Sequence, residues 1–332
     1  MSTQTEYLSG PEAPRDAREA PRGRLRLGDP IFRILATACG LIVAVAMFGL
    51  ASVLIVDSWP AITGIGFKML TTVAWAPPKE YGALAALVGT FLSTIVAMVI
   101  AVPLALVIAL LLVELVHPAI GRVVGTAIEM LAAIPSIIFG MVGLFVVVPF
   151  FDNTFVPWLL GTPLGKLPGI KPGPTFAQGG LSILTAGIVL AFMILPFITA
   201  VSRDVLRMVP QVTKEAGYGM GSTTWEVLRK ISLRYANSGI VGAVFIGLGR
   251  ALGETMAVAF IIGSVFNVLP HSLLDPGTTI ASLIANTFNE ATGIEVSALV
   301  ELGLILFVIT LVFQVIAQFW LRRVQRTTGG RA

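Results

Sequence analysis

Six stretches of this sequence are long and apolar enough to cross a lipid bilayer: residues 31–56, 82–113, 126–150, 181–200, 237–266 and 297–321. A bilayer core about 30 Å thick takes roughly 20 apolar residues in a helix. Lipid offers no hydrogen-bond partners, so each run must satisfy its own backbone and therefore be helical. The expected fold class is an all-α membrane protein with six transmembrane helices. Only 12% of the residues are charged and 56% are hydrophobic, whereas a soluble domain carries about 25% charged residues to wet its surface. The first run exceeds the roughly 7–15 apolar residues of a cleaved leader, so it reads as a retained span. Residues 1–30 are polar, with Arg15, Arg18, Arg22, Arg24 and Arg26 and no apolar period. They read as a disordered cytoplasmic tail, and residues 322–332 as a second one.

The basic residues orient the bundle. With the N-terminus inside, seventeen Lys and Arg fall in the inner segments and four (Lys68, Lys79, Lys166, Lys171) in the outer loops, leaving Arg250 within a span. That asymmetry sets an N-in, C-in topology and accounts for the net charge of +4 without a nucleic-acid partner. Cys39 has no second cysteine to pair with. His117 and His271 fall in loops on opposite sides, so neither a metal site nor a histidine-based catalytic site is expected. No GxxxxGK[ST] loop is present, so any ATP-driven step needs another polypeptide.

Pro103, Pro135 and Pro196 lie inside three successive spans; each removes a backbone donor and tends to kink its helix. Residues 151–180 are dense in Pro and Gly and read as an irregular outer loop. Glu114, Glu129 and Glu301 lie near span ends and are expected at the interfaces.

Between spans four and five, residues 201–236 form the one long polar segment on the inner face besides the termini. Pro210 suits the start of a short helix. Gly219 and Gly221 interrupt it. Thr223 with Glu226 gives the capping-box pattern of a second helix, in which Val227, Leu228 and Ile231 share a face. The pair lacks the second-helix polar side chains that reach base edges and reads as a docking element for a cytoplasmic protein. Glu215, Ala216, Gly221, Ile231 and Leu233 resemble, at the right spacing, the EAA signature of bacterial ABC importer permeases. Gly217 stands where that signature has its second alanine, and Arg234 where it has proline. The resemblance implies a type I importer permease-like fold in which this loop couples to an ATPase subunit.

Span five contains Arg250 and Glu254, four residues apart and so on one face of a continuous helix. A charge at mid-bilayer costs at least about 2.5–3.5 kcal/mol, so such groups face a bundle interior or an aqueous path. The pair is a candidate for the substrate pathway, against the alternative of a self-neutralising pair that joins helices. Gly249 and Gly253 make a face for close helix packing. The strings GLGRALGETMAV, AAIPSIIFGMVGLFVVVP and ELVHP are similar to those of phosphate-specific permeases of the PstC type. That resemblance implies phosphate import through the inner membrane. Its implied partners are a PstA-like second permease, two ATPase subunits, an extracytoplasmic phosphate-binding protein and membrane lipid, with no cofactor. A permease for another oxyanion and a proton-coupled secondary carrier using Glu254 stay open. A membrane-embedded enzyme fits worst, for want of any paired His, Ser/His/Asp set or acidic cluster.

Overall fold

The structure is a computed structural model that describes residues 28–328, apart from 168, 174–175 and 177–179. Most of the predicted N-terminal tail and the last four residues lie outside that set. Helix α1 spans Gly28–Gly64. After a two-residue hairpin that pairs Trp75 with Tyr81 (β1, Trp75–Ala76; β2, Glu80–Tyr81) come α2 (Leu84–Leu115) and α3 (Pro118–Ala132). Helices α4 (Ser136–Gly161) and α5 (Ile183–Arg207) follow. Next are the short α6 (Gln211–Gly219), α7 (Thr224–Leu252), α8 (Met256–Ile261) and α9 (Ile280–Thr287). Helix α10 (Ile294–Thr328) closes the chain. Six of these helices have the length and hydropathy of a membrane span.

The described residues divide into two compact units, one ending at Val53 and one beginning at Leu54. In the first, every side chain from Pro30 to Leu50 is exposed, as suits a helix whose surroundings are lipid.

The second unit is built on α2 and α5. Ala97, Ala101, Ala105 and Ala109 recur every fourth residue on α2, and all are fully buried. They continue a stripe begun by Gly89, Thr90, Ser93 and Thr94. Small side chains every four residues form one helix face and let a neighbouring backbone come close, the packing that joins helices where lipid is as apolar as the interface. Ile183, Leu190, Met193, Ile194 and Ile198 of α5 and Ala243 and Ala251 of α7 fill the same core. At the outer end the approach is closer still: a Cβ on Gly89 would lie 1.9 Å from the Thr278 carbonyl oxygen. Beside it, the Thr90 hydroxyl accepts a hydrogen bond from Ile280 N at 3.0 Å, tying α2 to the start of α9.

Two spans differ from the expected ranges. The third, expected over 126–150, is split: α3 stops at Ala132 and a new helix starts at Ser136 and runs to Gly161. Pro135 has no N–H to continue α3 and pushes Ile134 out of the helical region. The expected outer loop is therefore helical from 151 to 161. The fifth, expected over 237–266, begins at Thr224 and ends at Leu252; Gly253 to Thr255 break it before α8. Hydropathy runs straight across both breaks because it measures solvent preference, not backbone continuity. Pro103 and Pro196, by contrast, lie within unbroken helices.

Replacing Gly89 with alanine sets a methyl against backbone that cannot move aside. The expected loss of stability is about 1–3 kcal/mol, read as a lower melting temperature in detergent. Gly242→Ala, where nothing lies within 4 Å of the added methyl, serves as the unaffected control.

Candidate substrate pathway and coupling site

The cytoplasmic elbow folds much as its local signals dictate. Pro210 occupies the N-cap position of α6, just ahead of the helix it was expected to open. Gly221 adopts φ +81°, a left-handed conformation that glycine takes without strain, and its N–H donates to Tyr218 O at 2.9 Å. The capping box forms: Glu226 N donates to Thr223 Oγ1 at 3.4 Å and Thr223 N to Glu226 Oε2 at 3.1 Å. Glu215 and Ala216 are exposed, Gly217 is buried, and Ile231 and Leu233 are half-buried. A Cβ on Gly217 would lie 2.6 Å from Ile231 Cδ1, so the Ile231 terminal methyl occupies the place of the family's alanine side chain. With Arg234 in place of proline, α7 runs through this point without interruption. Around the elbow, Met208, Val212, Met220 and Trp225 are each at least 64% exposed, an apolar rim of the kind that marks a docking surface.

Beneath that rim lies an anchor that the sequence did not reveal. Lys214 Nζ sits 2.7 Å from Glu114 Oε1, each side chain only 9% exposed. Ser232 Oγ donates to the same oxygen at 2.9 Å. Glu114, expected at an interface, is instead enclosed where α2, α6 and α7 meet. The available signal was the spacing of Lys214 and Gly217, one turn apart on α6 and both buried; nothing in the sequence names their partner.

A second buried charge joins α3 to α5. Arg203 is 6% exposed and forms ion pairs with Glu129 and, at 3.4 Å, Asp204. Gly125 makes room for it: a Cβ there would meet the guanidinium. Glu129, expected to reach the interface alone, thus has a structural partner. Glu301 is also buried, at 8% exposure, and borders a cavity of about 480 Å³ with Ile62, Leu70 and Leu87.

Arg250 and Glu254 behave differently from these pairs. The break after Leu252 places them on separate elements, so the expected shared helical face does not exist. No ion pair joins them among the described residues. Glu254 is 9% exposed, and its Oε1 accepts from Ala257 N at 3.3 Å, holding the first turn of α8. Arg250 is exposed in the last turn of α7, with its guanidinium carbon 4.1 Å from the centre of the Phe197 ring. A cation over a ring face keeps its forked donors free for an anion. His117 and His271 are exposed; the former caps α3 through Nδ1, which accepts from Ala119 N at 3.4 Å. On the outer side the Asp275 carboxylate accepts from the backbone N–H groups of Gly173, His271 and Ser272 at 3.0–3.1 Å, stapling two loops together.

Six candidate spans, with a polar elbow between the fourth and the fifth, give the arrangement that the EAA-like loop implied for an importer permease. Residues 101–326 match the family model of binding-protein-dependent transport system inner membrane components, and the chain belongs to that family of multi-pass inner-membrane proteins. It is 48% identical over 300 residues to the phosphate transport system permease protein PstC of Pasteurella multocida, spanning 90% of this chain and 93% of that one. To the protein of the same name from Mesorhizobium japonicum it is 45% identical, covering 96% and 97% of the two chains. A chain of a solved bacterial alginate ABC transporter shares the fold at a TM-score of 0.60 and 17% identity, covering 91% of this chain and 99% of that one.

Gly217 should accept alanine. The gain in helix propensity, about 1 kcal/mol, offsets the small shift of the Ile231 methyl, so Gly217→Ala melts within a few degrees of wild type. Gly217→Leu forces α6 off its bed and lowers stability by about 1–3 kcal/mol. Thermal unfolding of the two purified variants distinguishes these outcomes.

Proposed function

We propose that this chain is the channel-forming permease subunit of an ATP-driven importer. It moves inorganic phosphate from an extracytoplasmic binding protein into the cytoplasm. The observation that carries the reading is identity above 40%, over nine-tenths of the chain or more, to permeases named for phosphate transport. A second permease related to PstA shares the membrane path, and two ATPase subunits hydrolyse ATP. The apolar rim around Glu215 and Ala216 supports docking of the ATPase at the elbow, with Gly217, Gly221, Ile231 and Leu233 setting its shape.

Arg250 and Glu254 are the proposed pathway residues. An arginine exposed in the last turn of a membrane span, and lacking an ion pair among the described residues, is costly unless it faces water, a partner or an anion. Its fork donates two hydrogen bonds to an oxyanion. Phosphate near neutral pH keeps a hydroxyl hydrogen that sulfate lacks. A carboxylate is an acceptor only, so Glu254 takes that hydrogen and disfavours a fully ionised anion. Burial of Glu254 would also suit a proton site in a secondary carrier, and dependence of uptake on ATP separates the two.

The assembled importer in proteoliposomes provides the test, with phosphate uptake and ATP hydrolysis followed together. Arg250→Lys removes a forked, charge-assisted contact worth about 1.5–3 kcal/mol and should lower uptake roughly 10- to 100-fold. Glu254→Gln should raise competition by sulfate. Normal uptake and unchanged sulfate competition in both variants would remove these residues from the pathway. Uptake driven by a proton gradient without ATP would replace the importer reading altogether.

A further inference from the structure

The Lys214–Glu114–Ser232 cluster is absorbed neither by the pathway nor by the docking face of the elbow. We propose that Glu114 is the centre of a clamp that locks α6 to the cytoplasmic ends of α2 and α7, so that movement of the elbow is delivered to both spans together. This rests on the reading of the chain as an ATP-coupled permease.

Four observations converge on it. First, α6 is held by few of its own residues, with Gly217 seated against Ile231 and Val227. Of its nine residues only Lys214 and Gly217 are buried, and a helix this short is not stable alone. Second, the pair is enclosed, with both side chains 9% exposed, so neither group can exchange its partner for water without moving α6 as a whole. A buried ammonium needs a compensating acceptor, and among the described residues the Glu114 carboxylate supplies it. Third, a single atom serves three elements: Glu114 Oε1 lies 2.7 Å from Lys214 Nζ and 2.9 Å from Ser232 Oγ. Rotating the carboxylate away from one partner releases the other. Fourth, Glu114 and Ser232 both lie in π-helical turns, Leu111–Leu115 of α2 and Leu228–Ser232 of α7. Such a turn fits an extra residue into the helix and redirects the side chains beside it. The two long helices are each locally rewound at the point where they meet α6. Exposed ion pairs are weak and easily remade, as with Glu226 and Lys230 on the outer face of α7. An enclosed one transmits displacement, because separating its charges is far more costly than carrying all three helices along.

The clamp positions and transmits; it touches neither substrate nor nucleotide. Its signature is therefore loss of coupling rather than loss of hydrolysis or assembly. The test uses the whole importer, purified with its ATPase and second permease and reconstituted with the binding protein. Variants are Glu114→Gln, which keeps the shape and removes the charge, Lys214→Met, and the exchange of the pair, Glu114→Lys with Lys214→Glu. The number of phosphate ions moved per ATP hydrolysed and amide hydrogen exchange over residues 211–219 are measured for each. For the single variants the expected result is normal co-purification, continued ATP hydrolysis, and about a tenfold drop in phosphate moved per ATP. Exchange over 211–219 should rise about tenfold, and over α5 it should stay unchanged. The exchanged pair should recover at least half of the wild-type ratio. Wild-type coupling and wild-type exchange in both single variants would overturn the clamp. So would parallel loss of assembly, hydrolysis and uptake in Glu114→Gln without recovery by the exchanged pair, which marks a fold-stabilising pair and nothing more. If the wild-type importer itself shows no phosphate-dependent hydrolysis, the functional reading fails, and amide exchange alone still decides whether Glu114 holds α6.

Discussion

Close approach between α2 and α5 is the contact on which the rest of the second unit depends. In lipid there is no hydrophobic gain from pressing two apolar helices together, so adhesion comes from dense van der Waals contact and from the few hydrogen bonds that close contact permits. The alanine ladder of α2, buried at every fourth residue, supplies that contact. The same stripe, continued through Gly89 and Thr90, brings the segment before α9 against α2 at the outer end. At the inner end Glu114 follows as the first charged residue of the helix. One helix thus carries a packing face along most of its length and an electrostatic contact at its cytoplasmic end.

Two kinds of charge contrast in this molecule. Glu114 with Lys214 and Arg203 with Glu129 are matched, partly or wholly enclosed, and join helices distant in sequence. Arg250 is exposed and rests on an aromatic ring, and it forms no ion pair among the described residues. The distinction is energetic. A paired charge has its counter-ion in place, and breaking a buried pair leaves a stranded charge, whereas an exposed cation within a span keeps its desolvation cost until an anion or water meets it. That contrast separates structural charges from a candidate substrate contact more sharply than position along a span does.

Interruptions in the helices are as informative as the helices. Pro135 divides the third apolar run, and Gly253 ends the fifth before α8. The second break turns Glu254 from the helical neighbour of Arg250 into the residue that holds the first turn of α8. Two charged residues four apart therefore act from different elements, with independent orientations.

The sequence by itself determined the class of fold, the number of spans and the elbow. Each follows from interactions within a few residues or from the solvent preference of whole segments: about 20 apolar residues make a span, Thr223 and Glu226 cap a helix start, and Gly221 permits a reversal. Only the tertiary structure decided which charges meet. Glu114 and Ser232 stand 118 residues apart, and Glu129 and Arg203 stand 74 apart. Their pairing depends on helix rotation and depth, which hydropathy does not encode and which small residues such as Gly125 and Gly217 set through the space they leave open. Breaks inside apolar runs escaped for a related reason, since a proline or glycine changes the backbone path without changing how a segment partitions into lipid.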